Sequence, residues 1–285
     1  MTEHPTVATA LLSEALGDLR AADPATPTPQ LDAELLLAHV LDVPRTRLGA
    51  FPEIPVPPAA AQRFRHLLRL RTQGAPIAYL TGTREFWSLK LAISPDVLVP
   101  RPETELLVER ALAVGPAGAG RVADLGTGSG AIALALATER PYWRLIATDL
   151  SAAALAVARA NAAALGLTGV EFRHGDWFEP LGNERFDVLI SNPPYVAGDD
   201  PALAALAFEP RAALTPGADA LASLRLLAHG APRHLERSGW LLLEHGTDQG
   251  EAVRRELVLA GFSHVRSHRD LAGHERMTEG HHGQI

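Results

Sequence analysis

The sequence predicts an α/β fold, an open, mostly parallel sheet of seven strands that follows a small helical domain. Three observations carry this expectation. Apolar residues recur at helical spacing through the first part of the chain. From Arg121 onward, short apolar runs alternate with helical stretches, the pattern of a parallel sheet covered by helices. Between the two, aromatics alternate with turn residues.

Residues 1–75 read as the helical domain. Val7, Ala10, Leu11, Ala15 and Leu19 mark a first helix. The cluster Pro24 to Pro29 breaks it, and Leu31, Leu35, Leu36 and Val40 mark a second. A further break runs from Pro52 to Pro58, after which Phe64, Leu67, Leu68 and Arg71 mark a third. Residues 76–99 read as a β-hairpin connector built from Tyr79-Leu80-Thr81-Gly82 and Phe86 to Leu91. In residues 100–285 strands are expected at Val122 to Leu125, Leu145 to Thr148, Val170 to Arg173, Val188 to Ile190 and Trp240 to Leu243. Ser151 to Leu165 is the clearest helix, and Gly261 to Thr278 supplies two last strands. The end, His281-His282-Gly283-Gln284-Ile285, reads as a loose tail whose histidines are solvated.

Composition narrows the function. The chain has 285 residues, a formal net charge of -7 and no cysteine. Disulfides, thiolate metal sites and a cysteine nucleophile are excluded, and no metal is expected. No apolar run approaches the ~18 residues of a membrane span, and no basic flank precedes an apolar core at the start. A soluble, cytoplasmic monomer is expected. The acidic balance argues against holding bare nucleic acid by overall charge.

The most informative residues are Asn192-Pro193-Pro194-Tyr195, directly after the apolar run Phe186 to Ser191. Two prolines cannot continue a central strand, so the chain turns out of the sheet here. They also remove two N–H donors and keep their carbonyls. The result is a rigid, acceptor-rich corner suited to a planar –NH2 group.

A second cluster is Asp124-Leu125-Gly126-Thr127-Gly128-Ser129-Gly130, between the first strand of the sheet and a helix starting near Ala131. Glycines allow a close approach to the backbone, and the helix start offers free N–H groups. Gly126-x-Gly128-x-x-Ala131 also fits a dinucleotide fingerprint, so NAD competes. Asp149 lies 21 positions after Gly128, placed to accept from ribose hydroxyls or to cap the next helix, a duty that Ser151 can take instead. Asp-x-Gly-x-Gly-x-Gly is the pattern of class I methyltransferases, which favours S-adenosylmethionine, as does the lack of hydride-transfer machinery. Trp177 can cover an adenine ring and Asp176 can accept from its exocyclic amine, whereas Phe178 reads as core.

With these strings in place the chain resembles the HemK-type protein-(glutamine-N5) methyltransferases that modify bacterial peptide chain release factors. Tyr79-Leu80-Thr81-Gly82, Glu85-Phe86-Trp87, Pro100-Arg101-Pro102-Glu103-Thr104-Glu105, Asp176-Trp177-Phe178, Ser191 to Tyr195, Phe208-Glu209-Pro210 and Leu241-Leu242-Leu243-Glu244-His245-Gly246 match in order. The resemblance implies a Rossmann-like class I methyltransferase fold and, as substrate, the glutamine of a Gly-Gly-Gln loop on a release factor, with the helical domain engaging that protein. It carries S-adenosylmethionine contacts to Gly126, Thr127, Gly128, Ser129, Gly130, Asp149, Trp177 and Asn192, and substrate contacts to Asn192, Pro193, Pro194 and Tyr195. Arg101 either contacts the cofactor's carboxylate or orders the connector. Glu209-Pro210 lies either beside the active site or on a surface loop. Glu244 and His245 read as structural. A nucleic-acid N-methyltransferase acting on adenine or guanine is the competing reading, since such enzymes use strings like Asn-Pro-Pro-Tyr.

Overall fold

A computed structural model describes residues 6–22 and 28–283, and the chain falls into two units, Met1–Thr83 and Arg84–Ile285. The first unit holds helices α1 (Ala8–Ala22), α2 (Pro29–Leu41), α3 (Arg45–Ala50), α4 (Pro58–Thr72) and α5 (Ile77–Thr81). Leu11, Ala15 and Leu19 of α1 pack with Leu36, Leu37 and Val40 of α2 and Phe64 and Leu68 of α4. Ala10 and Leu31, expected on inner faces, are exposed; Ala8 and Ala33 take the buried places. Arg71 joins the core by charge, pairing with buried Asp32 at 2.8 Å.

The proline breaks differ from one another. Residues 23–27, which include most of the first break, lie outside the described residues; Pro29 opens α2, where a missing N–H loses no bond. The second break is ordered, because Val56 N–H donates to Thr6 O and Ala8 N–H to Ile54 O. Tyr79 to Thr81, expected to start the hairpin, instead ends α5; Gly82 stops that helix in the left-handed region at φ 73°.

The hairpin itself is β1 (Thr83–Phe86) and β2 (Leu89–Ala92), turned by Trp87 and Ser88 at φ 50° and 60°. The second unit then builds a seven-stranded sheet in the order β5-β4-β3-β6-β7-β9-β8. The strands are β3 (Arg121–Leu125), β4 (Arg144–Asp149), β5 (Val170–His174), β6 (Phe186–Ser191), β7 (Leu235–Glu244), β8 (Ser263–Arg269) and β9 (Glu275–His281). β3 to β7 pair in parallel, while β9 runs antiparallel to β7 and β8. β3 and β6 are buried almost end to end, which is why they read as continuous apolar runs. The flanking helices are α6 (Glu105–Val114), α7 (Ala131–Glu139), α8 (Ala152–Ala164), α11 (Ala222–Gly230) and α12 (Gly250–Leu259), with the single turns α9 (Ala202–Ala205) and α10 (Arg211–Leu214) after β6. Leu224, Leu227, Val253 and Leu257 of α11 and α12 pack on Ala123, Ile146, Leu189 and Leu241 of the sheet.

The chain runs from β3 outward to β5, then returns to β6 on the other side of β3. The carboxyl ends of β3, β4 and β6 therefore flank a switch point, where open α/β sheets bind ligands.

The end of the chain departs from the expected loose tail. His281 closes β9, His282 N–H donates to Gly239 O, and Gly283 O accepts from the Ser263 hydroxyl at 2.8 Å. The antiparallel return beside β7 gives this segment backbone partners. Gln284 and Ile285 lie outside the described residues. Among the described residues no helix is long and apolar enough to cross a membrane, and no group of three acidic, histidine or cysteine side chains is placed to hold a metal ion.

Candidate active site

Strand register brings the two sequence motifs together. Leu125 of β3 neighbours Thr148 of β4, and Asp124 neighbours Ile190 of β6, so the glycine loop leaves the sheet between Asp149 and Asn192. Gly126 N–H and Thr127 N–H both donate to Thr148 O at 2.9 Å, and the Ser191 hydroxyl donates to Leu125 O at 2.6 Å. These bonds fix the three strand ends around one cavity of about 350 Å³.

The loop's glycines are there for shape. Gly128 sits at φ 55°, and a Cβ on it would meet nothing, so the space beside its Cα is open. Gly130 sits at φ 84°, and a Cβ there would stand 3.1 Å from Leu134 and 3.2 Å from Ala158. It packs the loop onto α7 and α8 and does not line the cavity, whereas Gly126, Thr127, Gly128 and Ser129 do. Beneath them Asp124 is fully buried. Its Oδ2 accepts from the Thr127 hydroxyl at 2.6 Å and its Oδ1 has no partner. Burial pushes its pKa up to about 7, against the Thr127 and Ala133 hydrogen bonds.

Asp149 Oδ2 accepts from Gly128 N–H at 2.9 Å and Oδ1 from Ser151 N–H at 2.8 Å. Ser151 caps α8 through Ala154 N–H, so Asp149 is not that helix's cap and lines the cavity instead. Burial raises its pKa while the Ser151 and Gly128 N–H groups oppose the rise. Trp177 lines the cavity beside Gly126, 3.6 Å from where a Cβ would sit. Phe178 turns away and stacks on His234 at 4.9 Å.

Of the corner residues, Asn192 and Pro194 line the cavity; Pro193 is buried and Tyr195 lies behind. The Tyr195 hydroxyl donates to Glu244 Oε1 at 3.2 Å, and Tyr195 O accepts from Gln249 Nε2 at 2.9 Å. Burial, with Glu244 next, holds the phenol's proton on well above its usual range. Asn192 Nδ2 donates to Thr104 Oγ1 at 3.3 Å. Thr104 is a cavity residue that sequence reasoning passed over, although it sits inside the quoted Pro-Arg-Pro-Glu-Thr-Glu string.

Arg101 has a clear partner. Buried Glu209 accepts from Arg101 Nη2 at 2.5 Å and from Val99 N–H at 3.0 Å. Arg101 thus clips the segment after Tyr195 to the segment before α6, and Pro210, Ala212 and Ala213 line the cavity beside Asn192. His245 is buried outside the cavity, with Nδ1 on Gly246 O and Nε2 on Thr278 Oγ1, both at 2.8 Å. Burial lowers its pKa, so it is a neutral structural bridge.

Comparison with known proteins agrees with this geometry. Residues 102–222 match the methyltransferase small domain and residues 10–82 the PrmC N-terminal domain. A release factor glutamine methyltransferase of Xylella fastidiosa is 52% identical over 88% of this chain and 92% of its own length. That of Escherichia coli is 44% identical over 96% of this chain and 98% of its own. The chain belongs to the release factor glutamine methyltransferase family. A solved methyltransferase from Pyrococcus furiosus, 19% identical with a TM-score of 0.53 over 69% of this chain and 90% of that one, shares the fold. In this chain the glycine loop and the corner residues Asn192 and Pro194 line one cavity.

Proposed function

We propose that this protein transfers a methyl group from S-adenosylmethionine to the side-chain amide nitrogen of the glutamine in the Gly-Gly-Gln motif of peptide chain release factors. The observation that carries the proposal is the meeting of the glycine loop and the Asn192–Tyr195 corner on neighbouring strands at one cavity, in a chain of this family. The residues fit the cofactor. The open space at Gly128 and the N–H groups opening α7 suit a carboxylate tail. Asp149 keeps lone pairs for ribose hydroxyls after its two backbone bonds. The Trp177 ring covers an adenine, and Asp176, also on the cavity wall, accepts from its exocyclic amine.

When bound, the cofactor supplies an electrophilic methyl group on a sulfonium. The chain's own residues have to orient a weak nucleophile, because an amide nitrogen's lone pair is delocalised. Asn192 Oδ1 and the carbonyl of Pro193 or Pro194 accept the two amide hydrogens, holding the nitrogen in line with the methyl and raising its electron density. Tyr195 anchors the corner through Glu244 and Gln249. Positioning of this kind can lower a barrier by ~7–11 kcal/mol, whereas a general base adds ~10²–10⁴-fold. The nitrogen is far more acidic after transfer, so its proton leaves without a dedicated base, and His245 is not one.

The helical unit, residues 1–75 in the sequence reading, engages the release factor; residues 76–99 connect it to the catalytic part, residues 100–285. The enzyme works as a cytoplasmic monomer and binds no nucleic acid directly. Mass spectrometry of a release factor incubated with the protein and S-adenosylmethionine tests the reading, with rRNA and DNA offered alongside. One methyl on the Gly-Gly-Gln glutamine is expected; an unmodified release factor beside methylated nucleic acid overturns it. N192A should bind cofactor slightly less well and lose at least ~10²-fold in methyl transfer.

A further inference from the structure

The glycine loop and the amide-accepting corner each begin directly after the end of a central strand. Leu125 ends β3 and Ser191 ends β6. The backbone pairs between these strands stop one step earlier, at Asp124 with Ile190. The two chains diverge there. Gly126 turns into the left-handed region at φ 76°, and Pro193 and Pro194 carry the other strand out of the sheet. Across the opening, the Ser191 hydroxyl donates to Leu125 O at 2.6 Å, and both residues are fully buried.

This bond joins the residue before Gly126 to the residue before Asn192, which lie 66 positions apart in the chain. On the other side of the loop, Gly126 N–H and Thr127 N–H hold to Thr148 O of β4. Ser191 is itself held from behind, because its backbone pairs with Leu243 of β7. A serine reaches its partner through one heavy-atom torsion, so the side chain acts as a short spacer of set length between β6 and β3. We propose that Ser191 is a positioning residue: its hydroxyl fixes the separation between the glycine loop, which holds the methyl donor, and the Asn192–Tyr195 corner, which holds the amide. The inference rests on the amide-methylating function proposed above.

Ser191 is not on the cavity wall, so it touches neither ligand. Its effect falls on the distance and angle between two bound groups and leaves the affinity for each group to the residues that line the cavity. In-line transfer depends on that relation, and a misplacement of ~1 Å can cost ~10²-fold in rate. A hydroxyl that only stabilised the sheet would act otherwise. Its loss would strand a buried carbonyl and lower the unfolding midpoint, but the folded protein would keep its kcat.

The test compares full-length wild type, S191A and S191C. Cysteine fills the same space with only a weak donor, so it removes the bond without opening a void. kcat and KM are measured on a release factor well below the melting temperature, and the dissociation constant of the demethylated cofactor by calorimetric titration. Both variants should lose about tenfold or more in kcat, with KM and the dissociation constant within about twofold of wild type. NMR of the ligand-free proteins should show the Leu125 carbonyl carbon and the Asn192 backbone amide shifted in both variants, while the Thr148 carbonyl carbon stays in place. Wild-type kcat in S191A or S191C overturns the proposal. So does a loss that falls wholly in KM or in cofactor affinity, which would make the bond a support for one half of the site alone. If S191A fails to fold, S191C carries the same expectations. A wild type that methylates no release factor refutes the functional reading, while the NMR signals still decide the link: an Asn192 amide unmoved in the variants shows that Ser191 does not hold loop and corner together.

Discussion

Asp149 shows how one side chain on the cavity wall shapes two elements at once. Its two oxygens take Gly128 N–H and Ser151 N–H, so the carboxylate sets the loop's curvature and the start of α8 together. Each oxygen retains a lone pair on the cavity side. Burial raises its pKa, and the Ser151 and Gly128 N–H groups oppose that rise. An amide in its place keeps the volume but turns one acceptor into a donor facing an N–H. Hydrogen bonds to charged groups contribute ~1.5–3 kcal/mol, so D149N should weaken binding of the demethylated cofactor about 10- to 100-fold. Calorimetric titration of the purified variant measures this. An unchanged dissociation constant would remove Asp149 from the cofactor site.

The hairpin, the glycine loop and α8 are joined at the scale of elements by Asn161. This buried side chain accepts from Ala92 N–H at 2.7 Å and donates to Ala92 O at 3.0 Å and Ser129 O at 2.9 Å. Truncation to alanine would leave Ala92 N–H and O, on an exposed residue, and the buried Ser129 O without these partners. N161A should therefore destabilise the fold by ~1–3 kcal/mol, read as a lower urea midpoint at unchanged slope. A midpoint within error of wild type would show that water or a shifted backbone replaces the clip. Nothing in the sequence marks Asn161, because its partner strand lies 69 positions away. The same holds for the Asn192–Thr104 bond, which spans 88 positions, and the Arg101–Glu209 pair, which spans 108. What the sequence does show is local: apolar period, turn chemistry, and the ends of β3, β4 and β6. Those signals suffice for the sheet, for the glycine loop and for a corner that leaves the strand at Pro193. They misplace Tyr79 to Thr81, where short-range propensity does not separate a helical turn from a strand. They also misjudge the carboxyl tail, whose order comes from β7 and β8.

At the scale of the whole molecule, the carboxyl edge of the sheet concentrates buried acids, and this gives stability an unusual pH dependence. Burial pushes Asp124 and Glu244 up to about 7 each. Their unfolded-state values lie near ~4, so between ~4 and about 7 the folded chain binds more protons than the unfolded one. Stability therefore falls as pH rises through that window, by on the order of 1–4 kcal/mol per group. Glu279 has the opposite sign. Burial pushes it up, but Arg110, Arg266 and His268 together hold it below its ordinary value, so it stabilises the fold above ~4 and that contribution is lost in more acidic solution. Melting temperature should thus rise on acidification from about pH 8 to about pH 5 and then fall below about pH 4. D124N and E244Q should each flatten the rise without touching the acidic fall, since each removes one titrating group and leaves Glu279 in place. Thermal melts across this range decide the matter. A melting temperature that is flat between about pH 5 and pH 8 in wild type would mean that water or a neighbouring cation reaches these carboxylates and keeps them ionised.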